Sequence, residues 1–537
     1  MRYQMVFLLL FSICSLLNAQ AADSSKIFIS DFDTFIRLLE ETHPDPYSVL
    51  GGRMEFNRKV QNYREEIAKA KNNEQFYFLL NRFLSSLKDG HTSVNNPQGQ
   101  NTSNTLYLQV KLKTAADGIY ISETSPGFEK HKGSLLKAVN NISVDTLLKK
   151  TIDIKASENI YGGYYNLISF LERSNYAGLL FPGNNGELTL TLQAPDKSIN
   201  NAVVSYAAKR NYAPAKSQVK INEPNGLLYW DMIGEEKNIG YFAWNSTVSR
   251  ELGEQILRDS PQNLENNLRW IYQSLPEIKR SANNEEAVKM IPSLYEQFYT
   301  LLKEMKEKKS EYLIIDLRSN SGGMTPLVPP LMYMLYGDKY LDYNFNLEYN
   351  RRLSPLFLNK IGMKSIDEYN KKYNTDYRAG DFQFGFMARS LKDLPPQEKR
   401  SLKNITYAGF GAEYVENLNG KPIYSPSVIV LVSPTTFSAA YQFMCMLQMA
   451  GNAVTAGVPS RQAGNTFMET TPFELPGTHF TGAISNAVQI FFPGNSEKGN
   501  ILMPDFTMKW EDFGRYGFDE NSEILYVLSL IKNGQIK

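Results

Sequence analysis

Cysteine is nearly absent: the 537 residues hold two, Cys14 and Cys445. Cys14 falls in an N-terminal apolar run, so a chain that loses that run keeps one cysteine and closes no intramolecular disulfide. The fold must rest on its core, with Cys445 as a small buried hydrophobe. An excess of one charge is also missing. Lys+Arg 57 against Asp+Glu 56 leaves a net charge of +1, which gives no electrostatic basis for binding nucleic acid or an anionic membrane. Beyond the N-terminus no long apolar run occurs, so no membrane span is expected in the mature chain. Histidine is scarce, at four (His43, His91, His131, His479), which limits any histidine-based chemistry to few candidates. Lysine is missing altogether between Lys421 and Lys498.

What is present starts with an export signal. Arg2 precedes an apolar run from Val6 to Leu17, and Ala19-Gln-Ala21 has the small-x-small form of a signal-peptidase site. The expectation is a signal peptide over 1–21, a mature chain from about Ala22 and a periplasmic or extracellular location. A lipidated Cys14 is disfavoured by Ile13 before it. The length calls for several domains. Residues 22–104 read as a helical module. Ser30 can cap a helix with Phe32, Phe35, Ile36 and Leu39 on one face, and Phe76, Leu79, Leu80, Phe83, Leu84 and Leu87 keep helical spacing. Gly90 is expected to cap that second helix, with His91 just beyond.

From 105 to 215 the period changes to alternation, as in Leu106-Tyr-Leu-Gln-Val-Lys-Leu and Leu188-Thr-Leu-Thr-Leu, predicting a β-rich module. Gly133-Ser-Leu-Leu-Lys-Ala-Val-Asn-Asn-Ile-Ser-Val resembles the strand–turn–strand signature of a PDZ domain; a small β-barrel with an Asn-Asn turn is the alternative. From 226 to 537 the pattern is α/β, interrupted at about 340–420 by a polar, aromatic, aperiodic stretch expected to be an insertion.

The chemistry centres on Val428-Ile-Val-Leu-Val-Ser-Pro-Thr-Thr-Phe-Ser438-Ala-Ala. A buried strand and a short turn deliver Ser438 to the start of an apolar helix. There the helix N-terminus supplies free N–H groups and a positive dipole end. Such a serine is either a helix cap or a nucleophile whose oxyanion finds donors nearby. The strand Tyr312–Asp316 leads to Gly322-Gly323, where missing Cβ atoms let backbone N–H groups turn to a ligand or simply allow a tight turn. Among the histidines, His43 and His131 suit packing and surface roles, while His91 is held beyond a helix end. Asp316 and Arg318 read as a structural pair.

Taken together, Asp316-Leu-Arg-Ser-Asn-Ser-Gly-Gly323, Thr436-Phe-Ser438-Ala-Ala, Gly457-Val-Pro-Ser-Arg-Gln-Ala-Gly464, Phe473-Glu-Leu-Pro476 and Met503-Pro-Asp505 occur in one order. In that set the chain resembles the S41 peptidases, which include the tail-specific proteases and the tricorn core protease. The resemblance implies a ClpP/crotonase-like α/β core and a serine endopeptidase without metal or cofactor. Tail-specific members use a serine–lysine dyad. The lysine-free interval after Ser438 rules that out here, because the guanidinium of Arg461 keeps its proton and cannot serve as the base. The tricorn-like branch uses serine, histidine and glutamate. Carried over, this implies Ser438 as nucleophile, His91 of Asp89-Gly-His91 as base and Glu497 as the group orienting the base. Gly322 and Ala439 would hold the oxyanion, with Gly323 in reserve. Two departures stand out: an extra residue between Glu497 and Pro504-Asp505, and Gly90 where tricorn has serine. The implied partner is a polypeptide, held by a PDZ-like module through strand addition, for instance at its C-terminus. A silent peptide-binding protein and a small ester or amide hydrolase are the rival readings.

Overall fold

The computed structural model describes residues 25–95, 105–183, 186–213, 217–223, 226–259, 261–275, 278–387 and 389–536. The expected signal peptide, 1–21, lies outside them. The fold is mixed α/β, with three sheets.

The β-branched run around Val430 forms the strand Ser427–Val432, buried on both faces. It pairs in parallel with Tyr312–Asp316 on one side and Val454–Gly457 on the other. The six-stranded sheet runs Phe506–Thr507, Val454–Gly457, Ser427–Val432, Tyr312–Asp316, Ile239–Trp244, Leu228–Ile233, and only the last pair is antiparallel. Alternate residues divide its two faces, as a period of two requires. Val428, Val430, Leu313 and Ile315 pack under the helices Leu294–Lys308, Val328–Tyr336 and Ala439–Gly451. Ile429, Leu431 and Ile314 pack against the C-terminal helix Ser522–Lys532. The loops 317–323, 433–438 and 458–464 therefore leave the carboxyl ends of three neighbouring parallel strands, where open α/β sheets place their sites.

A second sheet is built on the hairpin Asn465–Glu474 and Thr481–Ile490. The stretch 340–420, expected as an insertion, carries strands of this sheet: Leu347–Arg352 pairs with Thr481–Ile490 and carries Phe382–Met387 on its outer edge. Its strands have half-exposed, mixed side chains, so the apolar alternation that marks a strand is weak.

The same hairpin anchors the N-terminal helices, which span residues 25–42, Arg53–Ile67 and Asn73–Ser85. Phe32, Phe35, Leu39, Phe76, Leu80 and Phe83 share a core with Phe473, Leu475, Phe480 and Ile484. Asp31 accepts the N–H groups of Gly477 and Thr478 at 2.9 and 2.7 Å. The short strand Ser93–Asn95 then joins Thr481–Ala483 edge to edge. Gly90 does not cap the preceding helix, which ends at Ser85.

The middle module is an antiparallel sheet in which Asn140 and Asn141, at φ 47° and 64°, turn the chain between Leu135–Val139 and Ile142–Ser143, as the sequence predicts. It is not β alone. Helices Val144–Ile154, Ile160–Leu171 and Ser174–Leu180 cover the sheet, two of them capped by the side chains of Ser143 and Asn159. This sheet-and-helix arrangement is compatible with the PDZ-like expectation. Lys113 of its sheet reaches Glu523 of the C-terminal helix at 2.7 Å. Glu523 also takes Arg318 at 2.8 Å, and Arg318 pairs with Asp316 at 2.6 Å, so the expected Asp316–Arg318 pair joins a buried network between module and core.

Candidate active site

Ser438 sits at the corner between its strand and the helix Ala439–Gly451, with φ 54° and ψ −122°. A non-glycine residue in that region carries about 1–3 kcal/mol of strain, which surrounding structure must hold in place. The sharp strand-to-helix turn is the geometry that presents a serine hydroxyl outward. Ser438 makes no side-chain cap to its helix, which removes the simple capping role. What holds the turn is a web from the neighbouring loops. Thr436 donates its hydroxyl to Leu317 C=O at 2.8 Å, Phe437 N–H goes to Asn320 C=O at 3.2 Å, and Ser438 N–H goes to the Gln462 side chain.

Gly322 lies directly against this turn. A Cβ there would stand 2.5 Å from Ser438 Cβ and from Phe437 O, and φ is +88°. Both facts demand glycine. Its N–H, however, is donated to Asn320 Oδ1 at 2.9 Å. The sequence expectation shifts accordingly: of the glycine pair, Gly323 keeps an N–H without a protein acceptor among the described residues. Ala439, as first residue of its helix, carries a second N–H that the helix cannot satisfy internally.

His91 reaches the same corner from the N-terminal helices. Its ring stacks on Phe437, the residue before Ser438, at 4.6 Å between centroids and 26° between planes. Asp89 fixes the approach: it accepts the His91 N–H at 2.8 Å and His43 Nε2 at 3.2 Å, and it takes the Thr92 hydroxyl as well. His43 is thus a fully buried packing partner, as expected. Both ring nitrogens of His91 are buried without a hydrogen-bond partner, poised for a proton rather than tied down.

The carboxylate beside His91 is Glu158, at 3.6 Å from Nδ1, inside ion-pair range but beyond a hydrogen bond. The Glu158 side chain is 4% exposed and is held by Ala463 N–H at 2.8 Å, Thr466 Oγ1 at 2.9 Å and Gly90 N–H at 3.3 Å. Gly90 gives it room, because a Cβ at position 90 would stand 2.7 Å from Glu158 Oε1 and 3.2 Å from the Phe437 ring. A serine there would displace the Glu158 carboxylate and press on the Phe437 ring. Burial pushes the His91 pKa down, but Glu158 and Asp89 outweigh it and leave the imidazole above its ordinary value, with Arg461 pulling the other way.

Glu497 is elsewhere. It lies exposed in the short helix Ser496–Asn500 and has no side-chain partner among the described residues. The additional residue before Pro504 accompanies this outward placement. His479 pairs with Glu474 on the surface at 2.7 Å, and His131 is buried beside Phe128 rather than solvated. Sequence reasoning missed Glu158 and Gln462. The first lies in Ala156-Ser-Glu-Asn159, which reads only as a helix start, and the second is a glutamine in a loop.

Asp89, His91 and Glu158 bring one ligand atom each within 4.8 Å of one another, a spacing a cation could bridge. Asp89 is already occupied by three donors, so the set suits an imidazole between carboxylates better than a closed metal shell. Among the described residues no helix is long and apolar enough to cross a membrane.

Residues 282–494 match the model of peptidase family S41. Mature CPAF in complex with lactacystin is similar in structure, with a TM-score of 0.57 and 16% identity over 95% of this chain and 99% of that one. Mature CPAF alone gives 0.57 and 15% over 96% and 99%. At this identity the likeness shows the fold. No curated protein matches significantly. The chain thus carries a peptidase family S41 domain over residues 282–494, spanning the loops that hold Gly322 and Ser438, which supports a serine-type peptidase.

Proposed function

We propose that the protein is an exported endopeptidase in which His91 activates Ser438 and Glu158, in place of Glu497, positions His91. The observation that carries this is the packing of His91 on Phe437, beside the Ser438 turn, with the Glu158 carboxylate behind its ring.

The steps follow. His91 takes the Ser438 proton through a ring nitrogen as Oγ attacks a peptide carbonyl carbon. The carbonyl π electrons move to oxygen, and the N–H groups of Ala439 and Gly323 receive that oxyanion beside the positive helix end. His91 then passes its proton to the leaving amine and the C–N bond breaks. Water, deprotonated by the same imidazole, releases the acyl group. Glu158 holds the ring in one orientation and stabilises it while charged. The signal-like segment from Arg2 to Ala21 supports a periplasmic or extracellular location for this chemistry. The middle module is the candidate surface for an extended substrate, including its C-terminus.

The base must be neutral to work. A His91 pKa above the ordinary value of about 6.5 places the acid limb of kcat/KM above that pH. Glu158→Gln removes the stabilising charge, so the limb moves to lower pH while the plateau falls by about 10²–10⁴-fold. Glu497→Gln leaves both unchanged. A pH profile of unfolded-protein cleavage by the three proteins reads this out. A limb that follows Glu497 instead restores the original assignment. Comparing unfolded proteins with small esters as substrates tests the endopeptidase reading, which requires the proteins to be cut.

A further inference from the structure

Arg461 is a half-buried cation with no carboxylate in ion-pair range among the described residues. It lies in the loop 458–464, one residue before the Gln462 that takes the Ser438 N–H. Its guanidinium lies 4.0 Å from the ring centre of Tyr165, on the helix Ile160–Leu171, and 4.6 Å from that of Phe437. Its Nη1 is buried and has no hydrogen-bond partner. Among the described residues no carboxylate stands within ion-pair distance of it. Glu158, the nearest acid to act on it electrostatically, is occupied by Ala463, Thr466 and Gly90. Burial is severe enough to lower even this guanidinium's pKa.

A desolvated charge of this kind is expensive unless something pairs with it. The aromatic rings stabilise the guanidinium through its π-faces, and Tyr165 takes one of its hydrogen bonds, but Nη1 is left over on the N–H edge that recognises carboxylates. Phe437 joins Arg461 to the reacting centre, because the same ring carries His91 and precedes Ser438. A group meeting Arg461 is therefore close to the scissile bond, within about two residues at roughly 3.3–3.6 Å each.

We propose that Arg461 is a specificity residue that takes a carboxylate of the substrate within about two residues of the bond cut. This rests on the serine-peptidase reading of Ser438 and His91. The carboxylate has two sources: the side chain of an aspartate or glutamate, or the free C-terminus of a short product segment. Both answer the same N–H edge. Glu158 and Asp89 do not compete, since each is held by its own donors.

The test uses the full mature protein and internally quenched peptides in which Glu replaces Gln at each of two positions either side of the cleaved bond. A matching pair carries a free or amidated C-terminus one or two residues beyond it. Wild type is expected to favour the carboxylate in one arm by about 10–100-fold in kcat/KM, the range of a hydrogen bond to a charged group. Preference for internal Glu identifies the side-chain source, and preference for the free acid identifies the terminus. Arg461→Met should bring that ratio near one, and Arg461→Lys, which keeps charge without the fork, should leave an intermediate ratio. Each ratio is read within one protein, so a lower yield of active variant does not affect it. A wild type that shows no carboxylate preference, or a preference that survives Arg461→Met, overturns the proposal. Fluorophosphonate labelling of wild type separates the two levels: a labelled enzyme without preference sinks Arg461 alone, whereas an unlabelled one sinks the serine reading beneath it.

Discussion

Ser438→Ala should abolish hydrolysis, lowering kcat by about 10⁶-fold, the cost found when a triad serine is removed, and leaving only residual binding and oxyanion stabilisation. The expected loss comes from chemistry and not from unfolding. Ser438 donates nothing to its helix, and the Thr436, Phe437 and Gln462 contacts that shape the turn do not use its hydroxyl. Alanine at φ 54° carries strain similar to that of serine, so the thermal transition should stay close to wild type. Steady-state cleavage of an unfolded protein, together with circular dichroism, checks both halves. Activity surviving in the alanine variant would remove Ser438 from the mechanism.

His91→Ala should cost nearly as much, about 10⁴–10⁶-fold, because a serine without its base is a weak nucleophile at neutral pH. The double variant is the sharper readout. Where two groups act as one unit their effects do not add, so Ser438→Ala/His91→Ala should be no slower than either single variant. Additive losses would mean that the two residues act separately. The imidazole arrives through long-range contacts: Phe32, Phe35 and Phe83 pack on the hairpin that carries Phe473 and Phe480, and Ser93–Asn95 adds to its edge. Loosening that interface should therefore reduce catalysis without touching the S41 domain's own loops.

Much of this site was legible in the chain. The β-branched run before Ser438 and the apolar helix after it define a strand–helix corner from local physics alone. Given the resemblance to S41 peptidases, the missing lysine after Ser438 argues against a lysine dyad, and Asp89-Gly-His91 offers the base we propose. The carboxylate was not legible. Glu158 meets His91 only because the middle module docks on the core through the Lys113–Glu523–Arg318 network and through Asn159, which donates to Ser460 C=O at 3.0 Å. No local pattern encodes that docking. Glu497 illustrates the opposite case, a residue in the right motif that one added residue accompanies to the surface. The sequence reading puts Gly322 before Gly323, whereas the Asn320 side chain takes the Gly322 N–H and leaves that of Gly323 free among the described residues. The helices at 144–180 carried visible caps at Ser143 and Asn159, overshadowed by the alternating strands on both sides. The strands of 340–420 depend on pairing with Thr481–Ile490, more than a hundred residues later than Leu347–Arg352 in the numbering.

The central claim, that Ser438 is activated by an imidazole held above its ordinary pKa, meets its most direct test in the pH dependence of fluorophosphonate acylation with the adduct mapped by mass spectrometry. A single adduct on Ser438 is expected, formed at a rate that rises through one ionisation above about pH 6.5 and that His91→Ala reduces to background. An adduct on another residue, or a Ser438 acylation rate that His91→Ala leaves intact, would contradict it.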